Sequence, residues 1–175
     1  MIITRRRMLA TMTSTALLTI PGVAQAAEKV RIGLPTKTYW PTTIAQTAVQ
    51  QKLFEKEGLD AELTIYRGGA ETFEAMAAGA SDLILDACSL PAAGRKKGVM
   101  SKVVASAAMG NFGWQLMVLS NSKLTVKDLE GKKVGITSAG SGSDLLALWT
   151  AQEKKVNFTR VPVGGGGLVP NLLAG

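Results

Sequence analysis

No histidine occurs in the 175 residues, and the one cysteine is Cys88. Without histidine the chain lacks the Ser–His and Cys–His nucleophile pairs, histidine metal sites and the commonest general base. A single cysteine cannot form an internal disulfide, and Cys88 stands in an apolar run where a buried, inert thiol is expected. Paired carboxylates at a spacing suited to acid–base chemistry are missing too. There is no Walker A pattern and no GxSxG elbow. Gly140-Ser141-Gly142 does not complete a dinucleotide fingerprint, because no glycine stands three positions after Gly142 and the next strand lacks an acidic end. No apolar run approaches the roughly 20 residues of a membrane span. These absences argue against an enzyme and call for no cofactor and no metal.

The charge balance is equally plain. The formal charge is +7, but Arg5, Arg6 and Arg7 supply three of the positives and leave about +4 for the rest. A surplus so small and scattered attracts anions without making a nucleic-acid footprint. Residues 1–26 read as an export address. Thr4-Arg5-Arg6-Arg7-Met8-Leu9 is similar to a twin-arginine signal, a mildly apolar run follows, and Ala24-Gln25-Ala26 gives a small-x-small cleavage pattern. The expected location is the periplasm, with cleavage near Ala26. No cysteine at the cleavage point offers a lipid anchor.

From Lys29 onward, short apolar strands alternate with helices. Strands are expected at Val30–Leu34, Ala61–Tyr66, Leu83–Leu85 and Val103–Ala107, with helices over 42–57, from Gly68 to Gly79 and over 90–97. Such alternation requires crossover connections and a parallel sheet. Gly58 reads as a left-handed helix end. After a composition shift Gln115–Ser120 is expected as a strand and Thr125–Glu130 as a short helix, and a second α/β unit then begins: Val134–Ile136 as a strand, a Thr137–Ser141 loop, a helix to about Lys155, and a strand over 157–163. The expected division is 27–116 for a first, nearly complete lobe and 117–175 for a partial second one. With two sheet strands the second unit is too small to bury a core alone, so the sequence reads as the front of a longer protein.

Ligands of open α/β sheets sit at the carboxyl ends of the strands. Four stretches are candidates, with Asp86 beside them. Lys37, Tyr39 and Trp40 share the loop after the first strand; Trp40 also has the simpler role of folding that loop onto the first helix. The small residues of Thr137–Ser141 let backbone amides approach a polar or anionic group at a helix start, though Ser141 with Asp144 also fits a plain capping box. Phe112 and Trp114 flank Gly113 where one unit passes into the next, with packing favoured for Phe112. Gly164–Gly167 read as close backbone approach to a ligand or to the facing lobe. Asp86, at the end of the third strand, reads first as support for the third helix and second as a holder of an amine.

The order of several motifs carries a resemblance. These are Gln51–Gly58 followed by Leu59-Asp60-Ala61-Glu62-Leu63, then Gly68-Gly69, then Ala78-Gly79-Ala80-Ser81-Asp82. Asp128-Leu129-Glu130-Gly131-Lys132-Lys133-Val134-Gly135 before the Ser/Gly loop is the most specific. In this order the chain resembles the extracytoplasmic substrate-binding proteins of ABC importers, in the branch that captures nitrate, alkanesulfonates, taurine or thiamine-precursor pyrimidines. The resemblance implies a periplasmic-binding-protein-like α/β fold of two lobes hinged near Trp114, a small-molecule ligand clamped between them, and an inner-membrane ABC permease as partner. The complete protein would be a monomer. Carried onto this sequence, the binding positions are Lys37, Tyr39, Gly69, Trp114, Ser138, Gly140 and Ser141. The pyrimidine-synthesising relatives use a histidine and a cysteine-rich segment, and this chain has neither.

Overall fold

The computed structural model describes residues 26–107 and 113–175. The export signal, the Ala24-Gln25-Ala26 pattern up to Gln25, and Phe112 lie outside the described residues.

Strand β1 (Glu28–Leu34) is the centre of the first unit, flanked in parallel by β2 (Leu59–Ile65) and β3 (Leu83–Ile84) in the order β2-β1-β3. Its register with β2 runs without slip from Glu28 opposite Leu59 to Leu34 opposite Ile65. The central strand is covered on both faces at its carboxyl half: Ile32 and Leu34 are buried with Ala45 of helix α1 (Trp40–Gln50). A central parallel strand has no solvent face, which is why its sequence is a continuous apolar run there. The outer strand β2 alternates instead, with Ala61, Leu63 and Ile65 turned to the core and Asp60, Glu62 and Thr64 outward. Helix α3 (Gly69–Ala77) follows β2, and α4 (Ser89–Lys96) follows β3. Arg31 ties β1 to the start of β3, donating to both carboxylate oxygens of Asp82 and to the carbonyl of Gly79. These bonds hold the Asp82 carboxyl down at about 2.

The second unit pairs β4 (Lys133–Ile136) in parallel with β5 (Thr159–Pro162). Helix α5 (Gly142–Lys154) crosses between them, and α6 (Leu168–Ala174) follows the glycine run. A 3₁₀ turn at Val126–Leu129, capped reciprocally by Thr125 and Asp128, buries Leu129 ahead of β4. Among the described residues no helix is long and apolar enough to cross a membrane.

Three local expectations change. The helix expected over 42–57 is two helices, because Lys52 takes a left-handed conformation (φ 55°) between α1 and α2 (Leu53–Lys56). That break sets Phe54 against the core of β1. Gly58 is left-handed as expected (φ 74°). Neither Val103–Ala107 nor Gln115–Ser120 is a strand. Both runs lack a ladder partner among the described residues, and their side chains stay in solvent, with Val104 79% and Met117 63% exposed. β-propensity without a hydrogen-bonded neighbour does not make a sheet.

Candidate functional site

The carboxyl ends of the two sheets face each other. The loop after β2 and the glycine run after β5 meet directly, the Gly165 N–H donating to the Arg67 carbonyl at 3.0 Å. Beside this contact lies a cavity of about 510 Å³, lined by Thr36, Lys37, Tyr66, Arg67 and Glu71 from the first unit and by Val163–Gly167 from the second. That volume suits a small solute. Two cations border it, Lys37 and Arg67. The nearest anion, Glu71, holds the Arg67 guanidinium only at 4.0 Å, and its other oxygen accepts the Arg67 N–H at 3.2 Å. The positive side of this cavity is therefore largely uncommitted.

A second meeting point lies at Gly68-Gly69. A Cβ on Gly68 would stand 2.5 Å from the Ser138 hydroxyl of the second unit, and one on Gly69 would stand 2.7 and 2.8 Å from the two Asp86 oxygens. Both residues are glycine because side chains of the neighbouring loops occupy that space. Close by, Ala87 approaches the position a Cβ would take on Gly142 (3.2 Å), as does the Trp114 ring (3.7 Å). The rings of Tyr39 and Trp114 lie 6.3 Å apart and tilted by 54°, an offset aromatic pair. Burial, and then the charges of Asp86 and Cys88, push the Tyr39 hydroxyl up.

Asp86 is not the helix cap it was expected to be. Its Oδ1 accepts the adjacent Ala87 N–H at 2.7 Å, ahead of α4, and α4 has no side-chain cap. Its Oδ2 is buried without a partner, as is the hydroxyl of Ser138. Burial raises the Asp86 carboxyl to about 6, with the Ala87 amide pulling the other way. A raised carboxyl means the folded chain holds this proton more tightly than the unfolded one. Its contribution to stability is therefore fully present below the ordinary 3.8 and is lost as pH rises through about 6. Asp86→Asn is expected to remove this slope and to be the more stable chain at pH 7, by about 1–3 kcal/mol. Urea melts of both chains from pH 4 to 7 measure it; parallel profiles would refute it.

The Thr137–Ser143 loop keeps most of its polar groups for itself. The Ser141 hydroxyl, 1% exposed, accepts from Thr137 Oγ1 at 2.9 Å and from the Asp144 N–H at 3.4 Å, and it touches Ser143 Oγ at 2.9 Å. The Thr137 N–H goes to Ser143 Oγ, the Gly140 N–H to Asp144 Oδ2, and the Ser141 N–H to the Ser138 carbonyl. Asp144 is paired in turn with Arg160 of β5. Gly140 and Ser141 thus frame the loop, and Ser138 is the side chain it turns toward the first unit.

Among the eight expected positions, Lys37 borders the cavity, while Tyr39, Trp114, Gly69 and Ser138 gather along the seam beside it. Trp40, 66% exposed, opens α1. Sequence reasoning missed Arg67 and ranked Asp86 as helix support. Arg67 had a usable signal, standing at a strand end directly before two glycines. Cys88 is exposed rather than buried, and no group of three His, Cys, Asp or Glu side chains gathers as a metal site among the described residues.

Chains named as binding proteins in Brucella abortus (strain 2308) and Brucella suis biovar 1 (strain 1330) are each 35% identical over 139 residues, or 77% of this chain. The chain spans 41% of the length of these curated relatives. A solved structure from Bordetella bronchiseptica RB50 shares the fold with a TM-score of 0.61 at 22% identity, covering 87% of this chain and 49% of that one. The pattern of the NMT1/THI5-like family matches residues 42–175, most of the sequence, and the chain belongs to that family.

Proposed function

We propose that the chain is the solute-capturing part of an extracytoplasmic receptor serving an ABC importer, and that its ligand is a small organic anion of the sulfonate, taurine or nitrate class. The observation that carries this reading is the cavity between the two units, with Lys37 and Arg67 on one side and the backbone of Gly164–Gly167 on the other. Two cations with weak internal partners attract an anion, and a wall of glycine lets main chain lie against it. Tyr39 and Trp114 supply an aromatic face, Ser138 a hydroxyl, and Gly69 the room for both units to meet; Gly140 and Ser141 hold the loop that carries Ser138. The receptor works in the periplasm after its export signal is cleaved near Ala26, as a monomer that delivers its ligand to an inner-membrane permease. The role proposed is binding rather than catalysis: this sequence offers no histidine to pair with Ser138 or Cys88. The names of the Brucella relatives support binding without specifying a ligand.

A second reading rests on the Tyr39–Trp114 pair. Tilted rings at the seam suit a heteroaromatic ligand such as an aromatic carboxylate or a thiamine-precursor pyrimidine. Calorimetric titration against taurine, alkanesulfonates, nitrate, aromatic carboxylates and pyrimidines separates the two readings. On the anion reading, Lys37→Ala and Arg67→Ala each weaken binding about tenfold, the size of one charge-assisted hydrogen bond. Unchanged affinity in both variants would move the ligand away from this cavity, and silence across the panel would remove the ligand class.

A further inference from the structure

We propose that Asp86 and Ser138 form a second subsite that reads an N–H group on the solute, so that the ligand carries an amine as well as its anionic end. The inference rests on the receptor reading above and adds a polarity to the site. Asp86 comes from the first unit and Ser138 from the second, and each has a buried oxygen without a protein partner. Both lie against the same dipeptide, Asp86 over Gly69 and Ser138 over Gly68. Arg67, the residue before that dipeptide, borders the cationic cavity. Arg67 and the two glycines that Ser138 and Asp86 lie against are therefore consecutive along one loop.

The chemistry selects the partner. A carboxylate oxygen accepts only, and a serine hydroxyl both donates and accepts, so one N–H-rich group between them satisfies both. Among the described residues no lysine or arginine pairs with Asp86. Its one hydrogen bond among the described residues is the short contact to its own neighbour's amide. Where the units meet, these two polar atoms are shielded from water without a partner among the described residues, which is costly. A ligand amine replaces the lost water and makes the closed arrangement favourable. Tyr39 feels the carboxylate's charge, and the Asp86 Oδ2 has no partner among the described residues.

The test uses the full chain and matched probes that differ by one amine: taurine against ethanesulfonate, and 4-aminobenzoate against benzoate. Isothermal calorimetry at pH 7.5 is expected to show at least one amine-bearing probe binding tenfold or more tighter than its partner. Asp86→Asn keeps the shape of the side chain and abolishes that preference, while the amine-free probe binds it as it binds the natural chain. Ser138→Ala reduces the preference severalfold. Thermal melting confirms that both variants are folded, and Ser138→Ala carries the test alone if Asp86→Asn is not. Equal affinity within both pairs, or a preference that survives the substitutions, overturns the subsite while anion binding keeps the receptor reading intact. Failure of all four probes overturns the subsite together with the anion class assigned to the cavity.

Discussion

Arg160→Ala is expected to destabilise the chain by about 2–4 kcal/mol, the cost of leaving a buried carboxylate without its half-exposed cationic partner. The asymmetry of the pair makes this a sharp expectation. The Asp144 side chain is 6% exposed, whereas that of Arg160 is 35% exposed. Removing the arginine strands a carboxylate away from water, with the Gly140 N–H as its remaining firm partner. Removing the carboxylate instead leaves a cation that can turn to solvent. Asp144→Asn, which retains an acceptor for Gly140, is therefore expected to cost less than Arg160→Ala, about 1–2 kcal/mol. The double variant should be more stable than Arg160→Ala alone, because the stranded charge is gone. Denaturant melts of the three chains at neutral pH read this order directly. For a domain of this size the arginine variant should melt roughly 10 °C lower. A loss below 1 kcal/mol in Arg160→Ala would show that Asp144 is hydrated, and that the pair does not fasten α5 to β5.

That ion pair also marks where sequence reading stops. Ser141 and Asp144 stand three apart and announce a cap, and the Ser141 hydroxyl does take the Asp144 N–H. The carboxylate, however, goes to Gly140 and to Arg160, a residue sixteen positions away on the next strand. Nothing local in the sequence names that partner. Elements set by short-range pattern were legible: the apolar run of β1, the alternation of β2, the left-handed Gly58, and the parallel order that follows from alternating strands and helices. Features set by distant neighbours were not. The runs Val103–Ala107 and Gln115–Ser120 have strand-like composition, but a ladder needs a second segment alongside, and the described chain brings none to them. Asp86 is the same case in the site. Its position after a strand was visible, whereas its missing partner emerges only when Gly69, Ala87 and Ser138 are seen together.

Gly165→Ala is expected to weaken solute binding by roughly 5- to 150-fold, through the about 1–3 kcal/mol that an overpacked contact costs. Of the four glycines, Gly164 and Gly165 approach the facing unit, Gly165 most closely. A Cβ there would stand 2.2 Å from Thr36 Cγ2 and 2.5 Å from Thr36 Cβ. Thr36 has little room to give: it is 8% exposed, and the Thr42 hydroxyl holds its carbonyl at 2.6 Å. The same glycine donates its N–H across the seam to the Arg67 carbonyl. An added methyl therefore forces apart the two loops that border the cavity, and a ligand held by both must lose contact with one of them. If capture proceeds by hinge closure, as the receptor reading requires, the clash falls on the closed arrangement and spares the open one. Gly166→Ala is the control on the same loop, because a Cβ there would meet nothing within 4 Å. Calorimetry with the tightest-binding member of the ligand panel should find Gly166→Ala close to the natural chain and Gly165→Ala far weaker. Equal affinity in the two would mean that the contact between Gly165 and Thr36 is no part of the ligand-bound state, and the cavity beside it would lose its claim to be the site.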